Sequence, residues 1–448
     1  MSTMKLSVIE KLGFGAGDMA VNIVMITMQL IIAYFYTDIY GLDPADMGVL
    51  FIVVRLIDAF SDPVMGMITD KCHSKHGHYR PFMLWFAIPF GMAVYLAFIT
   101  PDLAYTYKLA WAYFSYILLT LIFTIVTIPY ISLIGVITDD PAERLSANGY
   151  RFVLVKVAAF LVTIVVPALA LKLGDGNMQD GYQPAMGLMG ILGSILFVVC
   201  FLTTKERIKP LIEKTKFRVQ ARLLTKNDQW IILCIVLILL MCGFVIRGSV
   251  GAYYAKYYLD GGDTLISPFL ATGVTASILA MIASTWITKH YCKVKLFRYS
   301  QLLTFVLCIA MYLMVDQEDR VLAFVFTFLI WFVADQYMPI FWSSIAETVD
   351  YGHRKTGVRV SGLAFGGISF CQKLGMGIAG GLLGYLLGFF DYQADAEQSD
   401  FTLNGLALMA TVIPALFHLA AGLLMNNYVI SNDYYDEIAN DLGLTKSS

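Results

Sequence analysis

Charged residues are scarce in this sequence. Only 14% of its 448 residues are charged, compared with roughly a quarter in a soluble domain, while 58% are hydrophobic and the mean hydropathy is +0.70. This scarcity excludes an ordinary soluble domain, and we expect no nucleic-acid partner. The sequence also lacks the glycine-rich phosphate loop of nucleotide-driven pumps, which argues against ATP-driven transport. We expect an all-α polytopic membrane protein without a cofactor.

Cysteine pairs with the spacing of a disulfide framework or a zinc site are also missing. The seven cysteines are scattered, mostly within apolar runs, and are expected to be reduced fillers. His73, His76 and His78 lie in a basic hydrophilic loop without neighbouring thiols, so we interpret this loop as solvated rather than metal-binding. The N-terminus has no short apolar core followed by a cleavage site, and we expect no cleaved segment.

Long apolar runs, by contrast, are abundant. A helix needs about 20 apolar residues to cross the hydrocarbon layer of a bilayer. About twelve runs approach or exceed this length, which predicts about twelve transmembrane helices. They cover residues 12–36, 46–68, 82–100, 108–137, 151–172, 185–203, 230–256, 266–288, 300–315, 321–345, 360–389 and 403–425.

Basic residues are concentrated in alternate loops, above all in the central loop between the sixth and seventh runs. We expect an N-terminal half over 1–203, this central loop over 204–229, a C-terminal half over 230–425 and a tail over 426–448. Cytoplasmic loops carry the excess of lysine and arginine. We therefore predict a bacterial inner-membrane protein with both termini in the cytoplasm.

Two six-span halves joined by a long cytoplasmic loop resemble the architecture of major facilitator transporters. In those proteins the halves are repeats, and the substrate site lies at their interface near the middle of the bilayer. The predicted loops 138–150 and 347–359, after the fourth and tenth spans, are both about a dozen residues long and give the repeat weak support. The expected fold class is the major facilitator fold.

The second predicted span carries three ionisable residues. Arg55, Asp58 and Asp62 are spaced by three and four residues, so a helix places them on nearly the same face. A charge at membrane depth costs roughly 2.5 to 3.5 kcal/mol, so the three need mutual pairing, water or a bound ion. The two carboxylates predict a site for a monovalent cation, with Arg55 in the surrounding charge network.

The fourth span offers hydroxyl groups for the same site. Pro129 frees the carbonyl of Ile125, and Thr124 and Thr127 lie close to it in sequence. Oxygen ligands suit a hard cation. The alternative is that each threonine bonds to its own helix; the two acids of the second span favour the cation site.

In the first span, glycines at 13, 15 and 17 directly precede Asp18. Small residues at these positions allow another helix to approach closely. The G-x-G-D pattern also occurs in intramembrane aspartyl proteases. Those enzymes require a Tyr-Asp pair in another span, however, and the pair at 435–436 lies in the hydrophilic tail.

Four basic residues inside apolar runs are further candidates. Arg151 opens the fifth span, and Lys156, one turn deeper, either faces the pore or extends to the cytoplasmic surface. Arg247 lies deep in the seventh span before a tyrosine cluster that includes Tyr254, where its planar guanidinium suits a carboxylate or paired hydroxyls. An ion pair with Asp335 is the alternative. Lys373, in a glycine-rich span, would form a charge lock with acids of the other half.

These motifs together resemble the glycoside–pentoside–hexuronide:cation symporter family over nearly the whole chain. The motifs are specific in combination. They are Gly15-Ala-Gly17-Asp18, Tyr36-Thr37-Asp38, Arg55-Leu-Ile-Asp58-Ala-Phe-Ser-Asp62-Pro with Met65-Gly66, Gly77-His-Tyr-Arg80-Pro81, Ile128-Pro129-Tyr130 with Ser132-Leu133, Arg151-Phe152, and Glu347-Thr-Val-Asp350-Tyr351-Gly352 with Lys355, Thr356, Gly357 and Arg359.

The resemblance implies cation-coupled sugar uptake by alternating access, with no enzymatic activity. It implies Asp58, Asp62 and Thr124 as cation ligands. It also implies Asp18 and Arg151 as sugar-binding residues. Lys373 matches a lysine near the family's cation site, and we count it with Arg247 and Tyr254 among the candidate substrate-binding residues.

Two positions depart from the melibiose-transporting members of the family. Those proteins have a lysine where Gly17 stands and an aspartate where Thr127 stands. The missing carboxylate leaves both melibiose as substrate and sodium as coupling ion open, so the coupling ion is Na⁺ or H⁺. A less acidic pocket together with Arg247 favours a hexuronide or an acidic oligosaccharide.

Two other functions are compatible with such a scaffold. A lipid or lysolipid carrier would need an apolar lateral groove, against which the charged, tyrosine-rich candidates argue. A non-transporting sugar sensor would need an output domain, and the tail offers about twenty residues. We expect a monomer that contacts the lipid bilayer, a sugar and a coupling cation.

Overall fold

The computed structural model describes residues 5–72, 74–138, 141–207, 217–288, 290–358, 360 and 362–442. These residues are almost entirely helical, and one isolated bridge pairs Ser74 with Gly77. The main helices before the central loop are α1 (Val8–Leu30), α2 (Pro44–Lys71), α3 (Ala87–Ala97), α4 (Tyr105–Ile137), α5 (Pro141–Phe160) and α6 (Met178–Thr203).

Short segments extend several of these helices. Ile32–Tyr34 and the π-helical turn Phe35–Ile39 follow α1, and Arg80–Trp85 precedes α3. The π-helical turn Leu161–Val165 and the helix Val166–Leu173 continue α5.

After the central loop, the short helix Phe217–Leu224 precedes the first long helix, α7. The π-helical turn Tyr254–Tyr258 continues α7. The main helices of this part are α7 (Asp228–Tyr253), α8 (Gly262–Ile287), α9 (Lys293–Met314), α10 (Arg320–Ala334), α11 (Tyr337–Thr356), α12 (Gly362–Phe389), α13 (Asp400–Ala410), α14 (Val412–Leu424) and α15 (Asn432–Asp441).

Capping residues define where two of the helices begin. Ser7 and Glu10 form a reciprocal capping box at α1, so two backbone N–H groups that the helix leaves unpaired are satisfied. Asp43 caps α2 through the N–H of Ala45, and Pro44 occupies the first helical position, where no N–H is needed.

Nine helical stretches in the described part of the chain are long and apolar enough to cross a membrane, and the bent pair Val8–Leu30 with Ile32–Ile39 makes a tenth. The 28-residue α2 is long enough but has three charged side chains in its middle, and the third apolar run is broken into two short helices. All twelve predicted runs coincide with helical segments, so the predicted count is compatible with the structure.

Several predicted loop boundaries are wrong. The predicted loop at 138–150 is helical from Pro141, and the one at 347–359 is helical to Thr356. The stretches between the predicted spans 151–172 and 185–203, and between 230–256 and 266–288, are also partly helical, because helices begin at Met178 and Gly262. Polar residues within water-exposed helical turns read as loop in a hydropathy pattern, because hydropathy reports depth in the membrane rather than backbone conformation.

The chain divides into two compact units. The first comprises Met1–Ile212, Ile266–Ala271 and Leu387–Glu397, and the second comprises Glu213–Leu265, Thr272–Leu386 and Gln398–Ser448. Within the first unit, Tyr392 donates a hydrogen bond to Oδ1 of Asp38 at 2.7 Å, which fastens the segment Leu387–Glu397 to the turn after α1.

A carboxylate clasp holds the loop before α3 in the first unit. The side chain of Glu206 accepts hydrogen bonds from the backbone N–H groups of His78, Tyr79 and Arg80 at 2.8, 2.7 and 2.9 Å. Gly77 has φ +108°, and a Cβ there would lie 2.4 Å from the carboxyl carbon of Glu206. This position therefore needs glycine for both its backbone conformation and its space.

In the second unit, the tail forms a helix that packs on α11. Arg354 of α11 pairs with Asp441 of α15 at 2.6 Å, and the Tyr435 hydroxyl donates to Asp350 at 3.0 Å. Lys293 forms an ion pair with Glu347 at 2.5 Å at the same end of α11.

Candidate functional site

The three charged residues of α2 lie together with a threonine of α4. Arg55 donates to Oδ2 of Asp58 at 2.8 Å, and Asp58 is 1% exposed. The hydroxyl of Thr124 lies 3.3 Å from Oδ1 of Asp58 and 3.1 Å from Oδ1 of Asp62. One hydroxyl thus faces both carboxylates, rather than bonding to its own helix.

Two more hydroxyls of α4 lie within one turn of Thr124. Thr120 and Thr127 are four residues before it and three after it, so they share its face of the helix. Both side chains are buried, and neither hydroxyl has a hydrogen-bond partner among the described residues. A buried polar group without a partner costs free energy, so these two hydroxyls are candidates for contact with a bound cation or with water.

The chemistry of this cluster suits a cation. The donor set consists of carboxylate and hydroxyl oxygens, which hard cations prefer. The residues therefore fit the cation site expected from the sequence.

Asp18 and Arg151 form a second buried ion pair in the first unit. Nε of Arg151 donates to Oδ2 of Asp18 at 2.6 Å, and the two side chains are 27% and 4% exposed. The glycines before Asp18 allow this approach. A Cβ at Gly15 would lie 3.2 Å from the Cα of Arg151, and one at Gly17 would lie 2.6 Å from the Tyr130 ring.

Lys156, the remaining candidate of this unit, lies on α5 one turn beyond Arg151 and is partly buried. Its helix begins at Pro141, ten residues before Arg151, rather than at the predicted start of the span.

Arg247 lies deep in α7 in the second unit and is 6% exposed. Its Nη2 lies 3.3 Å from the sulfur of Cys308, and its guanidinium carbon lies 5.9 Å from the centre of the Trp331 ring. Its Nε has no hydrogen-bond partner among the described residues.

The other candidates of the second unit lie in different surroundings. Tyr254 is 2% exposed and stacks on Tyr258 at 4.7 Å between ring centres. Asp335, at the end of α10, accepts a short hydrogen bond from Ser277 of α8, and Lys373 is partly buried on α12. The ion pair between Arg247 and Asp335 that the sequence suggested is not formed, because Arg247 contacts Cys308 and Trp331 instead.

Sequence reasoning missed a polar pair close to Arg247. His418 of α14 is 2% exposed, and its Nδ1 lies 2.6 Å from Oε1 of Gln301 on α9. A histidine in the middle of an apolar run was the available signal, because ionisable residues within spans are rare and mark functional sites.

Of the three histidines in the loop before α3, the structure describes His76 and His78. His73 lies outside the described residues. The backbone N–H of His78 belongs to the Glu206 clasp.

Helical spans with buried ionisable clusters are typical of polytopic membrane proteins that move ions or solutes, and comparison with known proteins identifies a transporter. The sequence profile of the family described as MFS/sugar transport protein matches residues 13–432. The inner membrane symporter YicJ of Escherichia coli (strain K12) is 34% identical over 429 residues, which cover 96% of this chain and 93% of that protein.

The isoprimeverose transporter of Lactiplantibacillus pentosus is 29% identical over 93% of this chain and 88% of that protein. The crystal structure of a D-xylose-proton symporter superposes with a TM-score of 0.65 at 14% identity, covering 94% of this chain and 97% of the other. The chain belongs to the MFS/sugar transport family and has the major facilitator fold. It is a multi-pass membrane transporter rather than an enzyme, and the resemblance to the glycoside–pentoside–hexuronide family is confirmed.

Proposed function

We propose that this protein is a symporter that couples the inward movement of one Na⁺ or H⁺ to uptake of a glycoside, pentoside or hexuronide. The preferred substrate is a hexuronide or an acidic oligosaccharide. The observation that carries the proposal is the Asp58–Asp62–Thr124 cluster, in which two carboxylates share one hydroxyl at 3.1 to 3.3 Å inside a span.

Coupling follows from the charge of this cluster. Holding the carboxylates of Asp58 and Asp62 at membrane depth is costly, and a bound cation or proton lowers that cost. Binding of the cation removes that cost and favours the conformation that receives the sugar. Because coupling free energies are reciprocal, the sugar then strengthens cation binding by the same factor.

Sugar binding is assigned to Asp18 and Arg151 in the N-terminal half and to Arg247, Tyr254 and Lys373 in the C-terminal half. Carboxylates and guanidinium groups bind sugar hydroxyls with charge-assisted hydrogen bonds. Lys156 and Asp335 belong to the surrounding charge network.

The arrangement in the cell follows from the loops and from the family. We propose that two six-span halves, 1–203 and 230–425, alternate access on either side of the bacterial inner membrane as a monomer. The basic central loop, the tail and both termini face the cytoplasm by the positive-inside rule.

The test is counterflow of a labelled uronide and a labelled neutral pentoside in membrane vesicles, with sodium present or absent at fixed pH. Wild type is compared with Asp58→Asn, which keeps the side chain's size but removes its charge. Asp102→Asn, a change at an exposed loop aspartate, is the matched control.

Sodium-stimulated exchange that is lost in Asp58→Asn and kept in the control would establish a sodium symporter. Exchange that responds to pH but not to sodium would identify protons as the coupling ion. Absence of exchange for every sugar tested would contradict the proposal and favour a lipid carrier.

A further inference from the structure

The hydroxyl of Thr120 on α4 is buried and does not bond to its own helix. The side chain is 1% exposed, and its hydroxyl has no hydrogen-bond partner among the described residues. An unsatisfied buried polar group costs free energy. Buried threonines of other described helices avoid this cost by donating to the carbonyl four residues earlier, as do Thr27, Thr69, Thr163, Thr304, Thr348 and Thr411.

Contacts on either side of Thr120 fix which part of α2 it faces. One helical turn before it, the ring of Tyr116 lies 5.8 Å from the ring of Phe51 between centres. One turn after it, the hydroxyl of Thr124 lies 3.3 Å from Oδ1 of Asp58. Residue numbers therefore rise together along α2 and α4, and Thr120 lies between two positions that both contact α2.

Arg55 lies opposite Thr120 in this register. Arg55 follows Phe51 by four residues, and residues four apart share a face of a helix. Thr120 follows Tyr116 by the same number, so the guanidinium of α2 and the hydroxyl of α4 lie at the same level. Arg55 also interacts electrostatically with Tyr116. Thr127, the other hydroxyl without a partner, lies two turns further along α4.

Arg55 and a coupling cation compete for the same carboxylate. Nη1 of Arg55 donates to Oδ2 of Asp58 at 2.8 Å, and the two side chains are 10% and 1% exposed. A cation held by Asp58 and Asp62 lies next to this guanidinium, and like charges repel strongly where water is excluded. A buried guanidinium that leaves its carboxylate needs another hydrogen-bond acceptor.

Helix geometry favours movement of Arg55 away from the carboxylates. Side chains on an α-helix lean toward its N-terminus. Asp58 and Asp62 lie on the C-terminal side of Arg55, so the guanidinium moves away from both when it follows this preference. It then faces Thr120, whose oxygen accepts a hydrogen bond without adding a charge.

We propose that Thr120 is the alternative hydrogen-bond acceptor for Arg55: binding of the coupling cation at Asp58 transfers the guanidinium from that carboxylate to the Thr120 hydroxyl. This inference rests on the proposed cation coupling and concerns the regulation of that same site. Thr120 is a positioning residue, because it acts through Arg55. Without its hydroxyl, Arg55 stays on Asp58 and competes more strongly with the cation.

The test measures the concentration of Na⁺ or H⁺ that gives half-maximal counterflow of a labelled uronide or pentoside in vesicles. Thr120→Val removes the hydroxyl and keeps the branched shape, and Thr120→Ser keeps the hydroxyl. Thr120→Ala takes the place of the valine variant if that variant does not fold. Thr163→Val is the matched control, because the Thr163 hydroxyl bonds to its own helix. Arg55→Gln is measured alone and together with Thr120→Val.

Thr120→Val is expected to need about tenfold more Na⁺, or a pH about one unit lower, the loss typical of one hydrogen bond to a charged group. Exchange at saturating cation should stay close to that of wild type. Thr120→Ser and Thr163→Val should keep the wild-type cation dependence. In the Arg55→Gln background, Thr120→Val should change the half-maximal concentration by less than about twofold, because its partner is already gone.

A second measurement needs no transport. A cation that binds the folded protein raises its unfolding temperature, so purified protein in detergent is unfolded over a series of NaCl concentrations balanced with choline chloride. The same order of variants is expected as in counterflow. This measurement decides for any variant that folds but exchanges no sugar.

Three results would overturn the inference. The first is an unchanged cation dependence in folded Thr120→Val. The second is an equal loss with and without Arg55, which would make Thr120 a direct ligand or a structural residue. The third is a Thr120→Ser variant that behaves like Thr120→Val.

Failure of the proposed function gives a different pattern. A wild-type protein that exchanges no sugar contradicts sugar transport, and the unfolding series in NaCl then tests Thr120 by itself. A wild type whose exchange depends on neither Na⁺ nor pH, or which exchanges nothing and is not stabilised by NaCl, overturns both the proposed coupling and this inference.

Discussion

At the scale of single residues, the proposed cation site depends on a neutral oxygen between two acids. Thr124 touches both Asp58 and Asp62, and its neighbours Thr120 and Thr127 bring further hydroxyls to the same face. A hydroxyl contributes a ligand without adding charge. Removing it therefore changes the coordination of the cation but leaves the charge of the site unchanged.

Thr124→Ala is expected to raise the concentration of coupling cation needed for half-maximal exchange about five- to tenfold, the loss of one hydrogen-bonding ligand. The two carboxylates remain, so exchange at saturating cation is retained. Thr163→Ala is the matched control, because that buried hydroxyl bonds to Ala159 of its own helix at 2.7 Å. An unchanged cation dependence in Thr124→Ala would remove Thr124 from the site.

The buried pair of Asp18 and Arg151 makes a second residue-scale prediction. Asp18→Asn leaves the guanidinium without its anion, and loss of one partner of a buried pair costs about 3 to 5 kcal/mol; because Arg151 is 27% exposed, the lower end applies. The double variant Asp18→Asn with Arg151→Gln should be less destabilised than the sum of the single changes. Thermal unfolding in detergent measures this, and additive losses would contradict the pairing.

At the scale of helices and loops, hydrogen bonds connect segments that are far apart in the sequence. The loop before α3 is fixed by Glu206, a residue that follows α6. Glu206→Gln replaces one of the two carboxylate oxygens with an amide donor and is expected to cost about 1 to 3 kcal/mol. The readout is the unfolding temperature, with the exposed Glu318→Gln as control. Equal unfolding temperatures for the two variants would contradict the clasp.

Sequence patterns predicted the helices better than their ends. Twelve apolar runs located every long helix, because the bilayer imposes a length and a composition on each span. The breaks after α1 and within the third run were not predicted, nor was the tail helix Asn432–Asp441, because contacts with other segments decide them.

The candidate site was predicted in part, because some of its residues are close in sequence and others meet only through the fold. Arg55, Asp58 and Asp62 are spaced so that a helix alone brings them to one face, and the first-span glycines forecast a close approach. The Glu206 clasp and the bond between His418 and Gln301 join residues more than a hundred positions apart. No local sequence pattern indicates such a contact. In the sequence, Glu206 is simply one of many charged residues in the central loop.

At the scale of the whole molecule, the distribution of lysine and arginine predicts the orientation in the membrane. With native cysteines replaced, Asp102→Cys is expected to react with a membrane-impermeant maleimide in intact cells, and Arg222→Cys only after the membrane is opened. Both positions are exposed, so accessibility across the bilayer decides the result. The reverse labelling pattern would contradict a cytoplasmic central loop.

The central claim is that a cation gradient drives the sugar uphill through Asp58 and Asp62. The most direct measurement is accumulation of labelled sugar in proteoliposomes under an imposed sodium gradient or an imposed pH gradient. The account predicts accumulation above the external concentration with one of the two gradients, and loss of that accumulation in Asp58→Asn. Sugar that only equilibrates under either gradient, or accumulation that survives in Asp58→Asn, would contradict the account.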